Sequence, residues 1–187
     1  MKIQALQVGS IGTNCYILCD EAAKVCAVID PGAEPELILS AAEKLDCTVD
    51  KILLTHGHYD HTGAVAALME TLPPTAVYIH QADFDSPQTQ LFPLKSELAR
   101  IPFGGVNFYG EGDRITVGTL ELQVLHFAVC PANKVQKAVQ RRQLAVDRRG
   151  LVVFCQQMLF PLGDNGFGYF GIACPCGKLP HLAQILF

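Results

Sequence analysis

The sequence predicts a single α/β domain in which short strands alternate with helices and pack in layers. The chain has 187 residues, about the length of one domain, and half of them are apolar while 17% are charged. Stretches of β-forming residues alternate with segments whose apolar residues have helical spacing. This composition supplies a sizeable core and excludes a globally disordered chain.

Five stretches before residue 126 have the composition of strands. Apolar, β-forming residues are concentrated in segments 11–19, 24–29, 51–54, 76–79 and 115–125. The second stretch ends at the turn sequence Asp30-Pro31-Gly32, which stops a strand sharply. The last one is interrupted by Gly118-Thr119, which predicts a hairpin.

Two segments between these strands have the pattern of amphipathic helices. Residues 35–45 begin with a proline, which suits a first helical turn, and residues 61–72 end at a pair of prolines. Residues 82–107 contain three prolines and little periodicity, so we expect a loop or lid there. Further along, residues 135–146 predict a basic helix and residues 151–154 a strand.

Charge and hydropathy exclude several classes of protein. No apolar run reaches the ~18 residues that a membrane-spanning helix needs, so no membrane partner is expected. A formal net charge of −4 argues against a nucleic-acid partner, because phosphate contacts need a basic face. No apolar signal segment opens the chain, so we expect a cytoplasmic protein whose eight cysteines are reduced. The sequence indicates no oligomeric state.

The charge is unevenly distributed along the chain. Residues 1–126 contain 16 of the 18 acidic residues and 7 of the 14 basic ones. Residues 127–187 contain only two acidic residues and seven basic ones, six of which lie between Lys134 and Arg149. We interpret that basic run as a solvated face. The shift in charge separates an N-terminal part, 1–126, from a C-terminal part, 127–187.

One short motif contains a cluster of metal-binding side chains directly after a predicted strand. Three imidazoles and a carboxylate occur within six residues, at His56, His58, Asp60 and His61. Imidazole and carboxylate groups are ligands for zinc and similar metals. His56 and His58 are two residues apart, so in extended backbone they point to the same face and can bind one ion. Asp60 and His61 lie where the chain turns into the next helix and can bind a second ion. A solvated loop with histidines by chance is the weaker interpretation.

The motif and its surroundings resemble the metallo-β-lactamase superfamily and, within it, the compact glyoxalase II-like (hydroxyacylglutathione hydrolase-like) hydrolases. The HxHxDH pattern of residues 56–61 carries the resemblance. Four further segments of residues 1–126 support it: Thr13-Asn14-Cys15-Tyr16, Val28-Ile29-Asp30-Pro31-Gly32, Ile52-Leu53-Leu54-Thr55, and Glu111-Gly112-Asp113 leading into residues 122–126.

The resemblance implies an αββα sandwich with two divalent metal ions at one edge. Zinc is the expected metal, with iron and manganese as alternatives. The implied reaction is hydrolysis of a thioester by a metal-bound hydroxide, with a small-molecule substrate such as the glutathione thioester S-lactoylglutathione. His56 and His58 would hold the first ion. Asp60 and His61 would hold the second, and Asp60 would also have a catalytic role by orienting the nucleophile.

Residues 127–187 depart from the family pattern. Cys130 stands where the family has a third histidine ligand, and Asp164 and His181 are the candidates for the bridging aspartate and the last histidine. We predict structural roles for His126 and for His80. Because the expected motifs stop where the charge changes, the sandwich is expected to be incomplete in its second half. One hypothesis is that residues 127–187 are translated out of frame.

Three functions remain open from the sequence. The first is a metal-dependent hydrolase of the glyoxalase II type. The second is another activity on the same fold, such as a persulfide dioxygenase, a lactonase or a β-lactamase, because fold does not fix function. The third is a catalytically impaired or truncated relative with an incomplete metal site.

Overall fold

The computed structural model of the chain describes residues 1–102, 105–128, 145–146 and 152–158. Its strands are β1 (Lys2–Val8), β2 (Thr13–Asp20), β3 (Val25–Ile29), β4 (Thr48–Leu53), β5 (Ala76–Ile79), β6 (Val106–Phe108), β7 (Arg114–Val117), β8 (Leu120–Ala128), β9 (Ala145–Val146) and β10 (Val152–Met158). Its helices are α1 (Pro35–Lys44), α2 (Tyr59–Thr62), α3 (Val65–Thr71), α4 (Gln81–Phe84) and α5 (Leu94–Leu98).

The strands form two sheets. The first has the order β1-β2-β3-β4-β5-β6, and its strands β3 to β6 run parallel to one another. The second has the order β7-β8-β10-β9, in which β7 and β8 form an antiparallel hairpin and β8 and β10 run parallel. The carboxyl ends of β3 and β4 therefore lie side by side at one edge of the first sheet, where ligands bind in open α/β folds.

Side chains of the first sheet alternate between two hydrophobic cores, as the period of a strand requires. On one face, Ile17 and Val28 pack into a core that includes buried residues of α1, α3 and α5. On the other face, Leu18 and Ile29 pack into a core shared with the second sheet. The result is a helix layer, a sheet and a second sheet. The predicted α/β class is confirmed, and these are three of the four layers of an αββα sandwich.

Four expectations about the elements need correction. The predicted helix 61–72 is divided into α2 and α3, because the N–H of Ala64 donates to the carbonyl of Pro31 at 2.9 Å instead of continuing the helix. The predicted loop 82–107 contains α5 and β6, and α5 buries Leu94 and Leu98 in the core. Strand β1 was not predicted. Residues 145–146, predicted as the end of a basic helix, form β9.

Among the residues that the structure describes, no helix is both long enough and apolar enough to cross a bilayer.

The turn after β3 packs directly against α2. A Cβ atom added to Gly32 would lie 1.7 Å from the carbonyl oxygen of Asp60, and one added to Gly63 would lie 2.5 Å from the carbonyl oxygen of Gly32. Both neighbours are backbone atoms, which cannot rotate away. Glycine at these two positions therefore allows the two segments to approach each other closely.

A buried carboxylate joins the two sheets at the other end of β2. One oxygen of Asp20 accepts hydrogen bonds from the amide and the hydroxyl of Thr119, each at 2.6 Å, and the other accepts from the amides of Ala22 and Ala23. Hydrogen bonds from the Thr119 hydroxyl and amide lower the pKa of Asp20 to about 2. Neighbouring Gly118 has a φ of +59°, and a Cβ there would lie 2.6 Å from the Asp20 carboxylate. The carboxylate thus fixes the hairpin turn against β2.

The first prediction concerns the close approach at Gly32. We expect Gly32→Ala to lower the free energy of unfolding by about 3 kcal/mol or more, because the added methyl group overlaps backbone atoms. Urea unfolding of the full chain measures this. Gly110→Ala is the matched control, since its Cβ would meet nothing nearer than 3.9 Å; it should change the value by less than about 1 kcal/mol. Equal effects of the two substitutions would contradict the packing argument.

The second prediction concerns the pH dependence of the Asp20 clamp. The folded-state pKa of Asp20, about 2, lies below the ordinary aspartate value of 3.8, so the stabilising effect of Asp20 is complete above pH ~4 and is lost as the pH falls through about 2. Asp20→Asn should therefore destabilise the chain most at pH 7 and progressively less towards pH 2. Urea unfolding at several pH values measures the difference. Asp85→Asn serves as the control for loss of an exposed surface carboxylate. A destabilisation by Asp20→Asn that does not vary with pH would be the contrary result.

Candidate metal centre

The candidate site begins where β4 ends. Residues 55–61 leave the buried strand and turn into α2. Two hydrogen bonds hold this departure point: the buried hydroxyl of Tyr109 donates to the carbonyl of Leu54, and the N–H of Leu54 donates to the carbonyl of Tyr78 at 2.9 Å. The backbone that carries the four predicted ligands is therefore anchored to a neighbouring strand and to the inter-sheet core.

The first pair of donors consists of His56 and His58. Nε2 of His56 lies 2.8 Å from Nδ1 of His58, and the ring centroids are 4.6 Å apart. His56 is buried, with 3% of its surface exposed, and His58 is half-buried. The ring of Phe92 lies 4.5 Å from that of His58 and covers it on one side. One nitrogen of each imidazole thus points to a common position.

The second pair consists of Asp60 and His61. Oδ2 of Asp60 lies 3.2 Å from Nε2 of His61 and also accepts a hydrogen bond from the hydroxyl of Thr13 at 3.0 Å. Burial disfavours the charged form of Asp60, but the hydrogen bond and charge of His61, together with the Thr13 hydroxyl, outweigh it and lower the pKa of Asp60 to about 2. The side chain is a carboxylate at neutral pH, which is the form that binds a metal ion.

The two pairs adjoin each other, and a buried carboxylate lies behind them. The ring centroids of His56 and His61 are 4.2 Å apart. Oδ2 of Asp30 lies 2.8 Å from Nδ1 of His61. The same side chain accepts hydrogen bonds from the amide of Thr55 at 2.7 Å and from its hydroxyl at 2.6 Å. Only 3% of the surface of Asp30 is exposed.

Asp30 and Thr13 were not predicted as site residues, although both belong to segments that supported the family resemblance. For Asp30, a signal was available in the sequence. It is a carboxylate directly after a buried strand, and in the structure its φ is +53°, a conformation that aspartate tolerates better than most residues. Thr13 gives no comparable signal, because its contact with Asp60 spans 47 residues.

A further contact holds the middle of the motif. The N–H of Gly57 donates to Oδ1 of Asp83 at 3.2 Å. A Cβ at Gly57 would lie 3.2 Å from the carbonyl oxygen of Asp83 and 3.3 Å from the ring of Phe92. The segment that was expected to be a loop or lid therefore packs against the motif and forms one wall of the site.

Imidazole and carboxylate are groups of the kinds that bind divalent metal ions. Two ligands on one zinc ion, each at 2.0–2.1 Å with tetrahedral angles, lie ~3.4 Å apart. The His56–His58 and Asp60–His61 pairs have donor atoms 2.8 and 3.2 Å apart. Within the part of the chain that the structure describes, no three histidine, cysteine or acidic side chains are arranged to hold one ion. The four side chains thus form two pairs of groups that could bind metal ions.

The sequence also singled out five residues beyond the HxHxDH motif, and the structure describes two of them. Cys130, Asp164 and His181 lie outside the residues that the structure describes. His126 lies on β8, opposite Gln156 of β10 in the register of the second sheet. His80 precedes α4 and accepts a hydrogen bond from the amide of Ala82 at 3.2 Å, which makes it a helix cap, in agreement with the predicted structural role.

Comparisons with known proteins identify the family of the chain. A sequence profile of the metallo-β-lactamase superfamily matches residues 8–128. An uncharacterized protein of Aquifex aeolicus is 37% identical over 128 residues, which are 67% of this chain and 59% of that protein. The hydroxyacylglutathione hydrolase GloC of Haemophilus influenzae is 32% identical over 131 residues, which are 67% of this chain and 60% of the enzyme. The chain thus spans about three fifths of the length of these two relatives.

Among solved structures, a metallo-β-lactamase from Staphylococcus aureus superposes with a TM-score of 0.51 at 19% sequence identity. The match covers 67% of this chain and 33% of that one, and it compares the fold alone. The profile, by contrast, spans more than half of the chain and includes the HxHxDH motif and strands β2 to β8. This chain therefore belongs to the metallo-β-lactamase superfamily.

Proposed function

We propose that this chain is a metal-dependent hydrolase that cleaves thioesters of the glyoxalase II type. The observation that carries the proposal is the convergence of two donor pairs, His56 with His58 and Asp60 with His61, at the carboxyl end of β4. The donor atoms within the pairs are 2.8 and 3.2 Å apart, closer than the ~3.4 Å between two ligands of one tetrahedral zinc ion, so metal binding requires a small outward shift of the side chains. The name of the Haemophilus influenzae relative, a hydroxyacylglutathione hydrolase, supports the choice of substrate class.

Two divalent ions, when bound, would lower the pKa of a water molecule and polarise a carbonyl group. We propose zinc, with iron and manganese as alternatives. The residues of the chain itself have simpler roles. His56 and His58 hold one ion, and His61 with ionised Asp60 holds the other. The hydroxyl of Thr13 donates to Oδ2 of Asp60 and fixes its orientation. Cys130, Asp164 and His181 remain the proposed sources of further ligands.

An apolar rim beside the donors supports a substrate with an acyl group. Tyr59 and Leu91 are 45% and 56% exposed, and the N–H of Tyr59 donates to the carbonyl of Leu91 at 2.9 Å. The ring of Phe92, next in the chain, is tilted against that of His58, with the ring centroids 4.5 Å apart. Exposed aromatic and aliphatic groups next to polar groups are typical of sites for small molecules. We propose that a small acyl group binds on this rim with its carbonyl near the donors.

A second candidate function is that of a catalytically impaired relative. The observation in its favour is that the described residues supply two donors for each ion, whereas catalytic zinc sites usually have three protein ligands. If residues 127–187 are translated out of frame, as the change in charge suggests, the third ligands are missing. Metal analysis separates the two functions, because a site with two donors per ion binds weakly.

The third prediction concerns metal content. The purified full chain, loaded with zinc and dialysed, should retain about two equivalents by elemental analysis. His56→Ala and His61→Ala should each lose metal, because each removes one donor of a pair. His80→Ala is the matched control: it removes an imidazole that caps a helix and should leave the metal content unchanged.

Retention of less than about 0.2 equivalents by the wild-type chain would contradict the hydrolase proposal and favour the impaired relative. If two equivalents are retained, Cys130→Ser, Asp164→Asn and His181→Ala identify which of the three candidates contributes a ligand. Sequencing of the encoding DNA against homologous reading frames tests the frame hypothesis independently.

The fourth prediction concerns substrate. The zinc-loaded chain should hydrolyse S-lactoylglutathione, and Asp60→Asn should lower kcat/KM by about 100-fold or more, because the second ion loses its carboxylate. Asp85→Asn, which removes an exposed carboxylate paired with Lys95, is the control and should retain full activity. If the chain turns over a lactone, a β-lactam or a persulfide but not the thioester, the proposed thioester hydrolysis is wrong. The matching alternative activity on the same fold then takes its place.

A further inference from the structure

We propose that Cys19 and Cys47 form an oxidation site, at which a hydroperoxide converts the two thiols into a disulfide bond. The site lies at the end of the first sheet away from the donor pairs, and the inference does not depend on the proposed function. Both cysteines are free thiols in the structure, as are Cys15 and Cys26. None of these four has a role in the proposed function.

Three of these thiols meet where β2, β3 and β4 lie side by side. Cys19 on β2 is directly opposite Cys26 on β3 in the antiparallel register. Cys47 comes directly before β4, whose first residue, Thr48, donates its N–H to the carbonyl of Lys24 at 2.9 Å. All three cysteines are part of the core on the helix-bearing face of the sheet or pack against it. The topology thus brings together three thiols from separate segments of the chain.

The side chains of Cys19 and Cys47 are in hydrogen-bond contact. Burial, followed by this hydrogen bond, raises the pKa of Cys19, so its neutral thiol is favoured and donates to the sulfur of Cys47. The thiol of Cys47 donates in turn to the carbonyl of Leu45 at 3.4 Å. The two sulfur atoms therefore already face each other, as the formation of an S–S bond requires.

Cys26 is the less suitable partner for Cys19. Directly opposite residues of an antiparallel pair have Cβ atoms about 4.5–5.5 Å apart, which is wider than the ~3.8 Å of a typical disulfide. Both of these cysteines lie within paired strands, so the ladder fixes their separation. Cys47 instead lies between α1 and β4, next to Asp46 with its φ of +55°. It can shift towards Cys19 without breaking the pairing of β4, which begins at Thr48.

The two thiols differ in exposure, and this difference gives them different roles. Cys47 is partly exposed, whereas Cys19 is completely buried. An oxidant in solution therefore reaches the sulfur of Cys47 first, since accessible sulfur atoms are the ones that oxidants attack. Cys19 lies directly behind it as a neutral thiol and is the group that completes the disulfide.

The reaction balances with a hydroperoxide as the only co-reactant. The sulfur of Cys47 attacks an oxygen of the hydroperoxide, and the O–O bond breaks. The products are a sulfenic acid at Cys47 and an alcohol (water from hydrogen peroxide), which takes up the proton of Cys47. The sulfur of Cys19 then attacks the sulfenic sulfur. The S–S bond forms, the S–O bond breaks, and the hydroxyl group leaves as water with the proton of Cys19. The two thiols lose two electrons, and the hydroperoxide gains them.

The fifth prediction is a disulfide between two tryptic peptides. The reduced full chain is freed of reductant and treated with hydrogen peroxide, and its remaining thiols are alkylated before digestion. Trypsin cleaves after lysine and separates the three thiols of the cluster. The cysteines are then distributed over three peptides: 3–24 (Cys15 and Cys19), 25–44 (Cys26) and 45–51 (Cys47). Mass spectrometry should find peptides 3–24 and 45–51 linked, and fragmentation should place the bond at Cys19.

Three variants test the assignment of the two thiols. Cys47→Ser should abolish the link. Cys19→Ala should also abolish it and leave a sulfenic acid at Cys47, which dimedone traps. Cys15→Ala is the matched control and should keep the link, because Cys15 is equally buried on the same strand. Circular dichroism establishes that each variant is folded, and the bond mapped in the wild-type chain decides the question where a variant does not fold.

The link should also stabilise the folded chain. A disulfide restricts the unfolded chain, here by closing the segment between residues 19 and 47 into a loop. The midpoint of urea unfolding should therefore be higher for the oxidised wild-type chain than for the reduced one. Dithiothreitol should reverse the rise, and Cys47→Ser should show none. An oxidised chain that contains the link but unfolds at a lower urea concentration would contradict a disulfide that fits the fold.

Two further results would overturn the proposal. One is a folded wild-type chain in which peroxide produces no link between peptides 3–24 and 45–51, or links peptide 45–51 to peptide 25–44 instead. The other is loss of the link in folded Cys15→Ala. Metal content is a separate matter, because the donors follow the carboxyl end of β4, whereas Cys47 precedes its first residue. A chain that binds no zinc and still forms the link overturns only the proposed function.

Discussion

The buried carboxylate of Asp30 is the interaction on which the site depends. A carboxylate removed from water is costly unless donors surround it, and here the amide and the hydroxyl of Thr55 supply two hydrogen bonds. The third neighbour is the ring of His61. These contacts hold the end of β3 against the end of β4 and against α2. The hydrogen bonds from Thr55 thus offset the cost of burying the Asp30 carboxylate directly behind the candidate ligands.

Close packing of backbone on backbone makes this arrangement rigid. Gly32 and Gly63 let the turn after β3 lie against α2. The N–H of Ala64 donates to the carbonyl of Pro31 and not to a carbonyl of α2, so the helix ends there. One consequence is electrostatic. A long helix beginning at the site would place a positive dipole end next to metal ions, whereas α2 has only four residues and a correspondingly small dipole. The break between α2 and α3, which the periodicity of the sequence did not reveal, therefore reduces the electrostatic repulsion that a cation would meet at this position.

The residues that could be predicted from the sequence are those whose roles are local. His56, His58, Asp60 and His61 lie within six positions, so their spacing and chemistry were visible. Strands β2 to β5 and the β7–β8 hairpin followed from composition and turn residues in the same way. The supporting contacts were not visible, because Asp30 reaches Thr55 across 25 positions. Segment 82–107 was misjudged because its prolines obscured α5, whose leucines are buried only through tertiary packing.

The clamp at Asp20 has a consequence for the order of folding. Its hydrogen bonds to Thr119 span 99 positions, whereas the contacts described above among the donors and their supports, apart from the Tyr109 hydrogen bond to Leu54, lie between residues 13 and 92. Closing a long loop costs more chain entropy than closing a short one, and non-local pairing slows folding. Most of the contacts that hold the four donors can therefore form before the second sheet docks, whereas the Tyr109 hydrogen bond to Leu54 belongs to the core shared by the two sheets. A chain whose later residues fail to fold would still present the donors, and its uncovered inter-sheet face would be exposed to association with other chains.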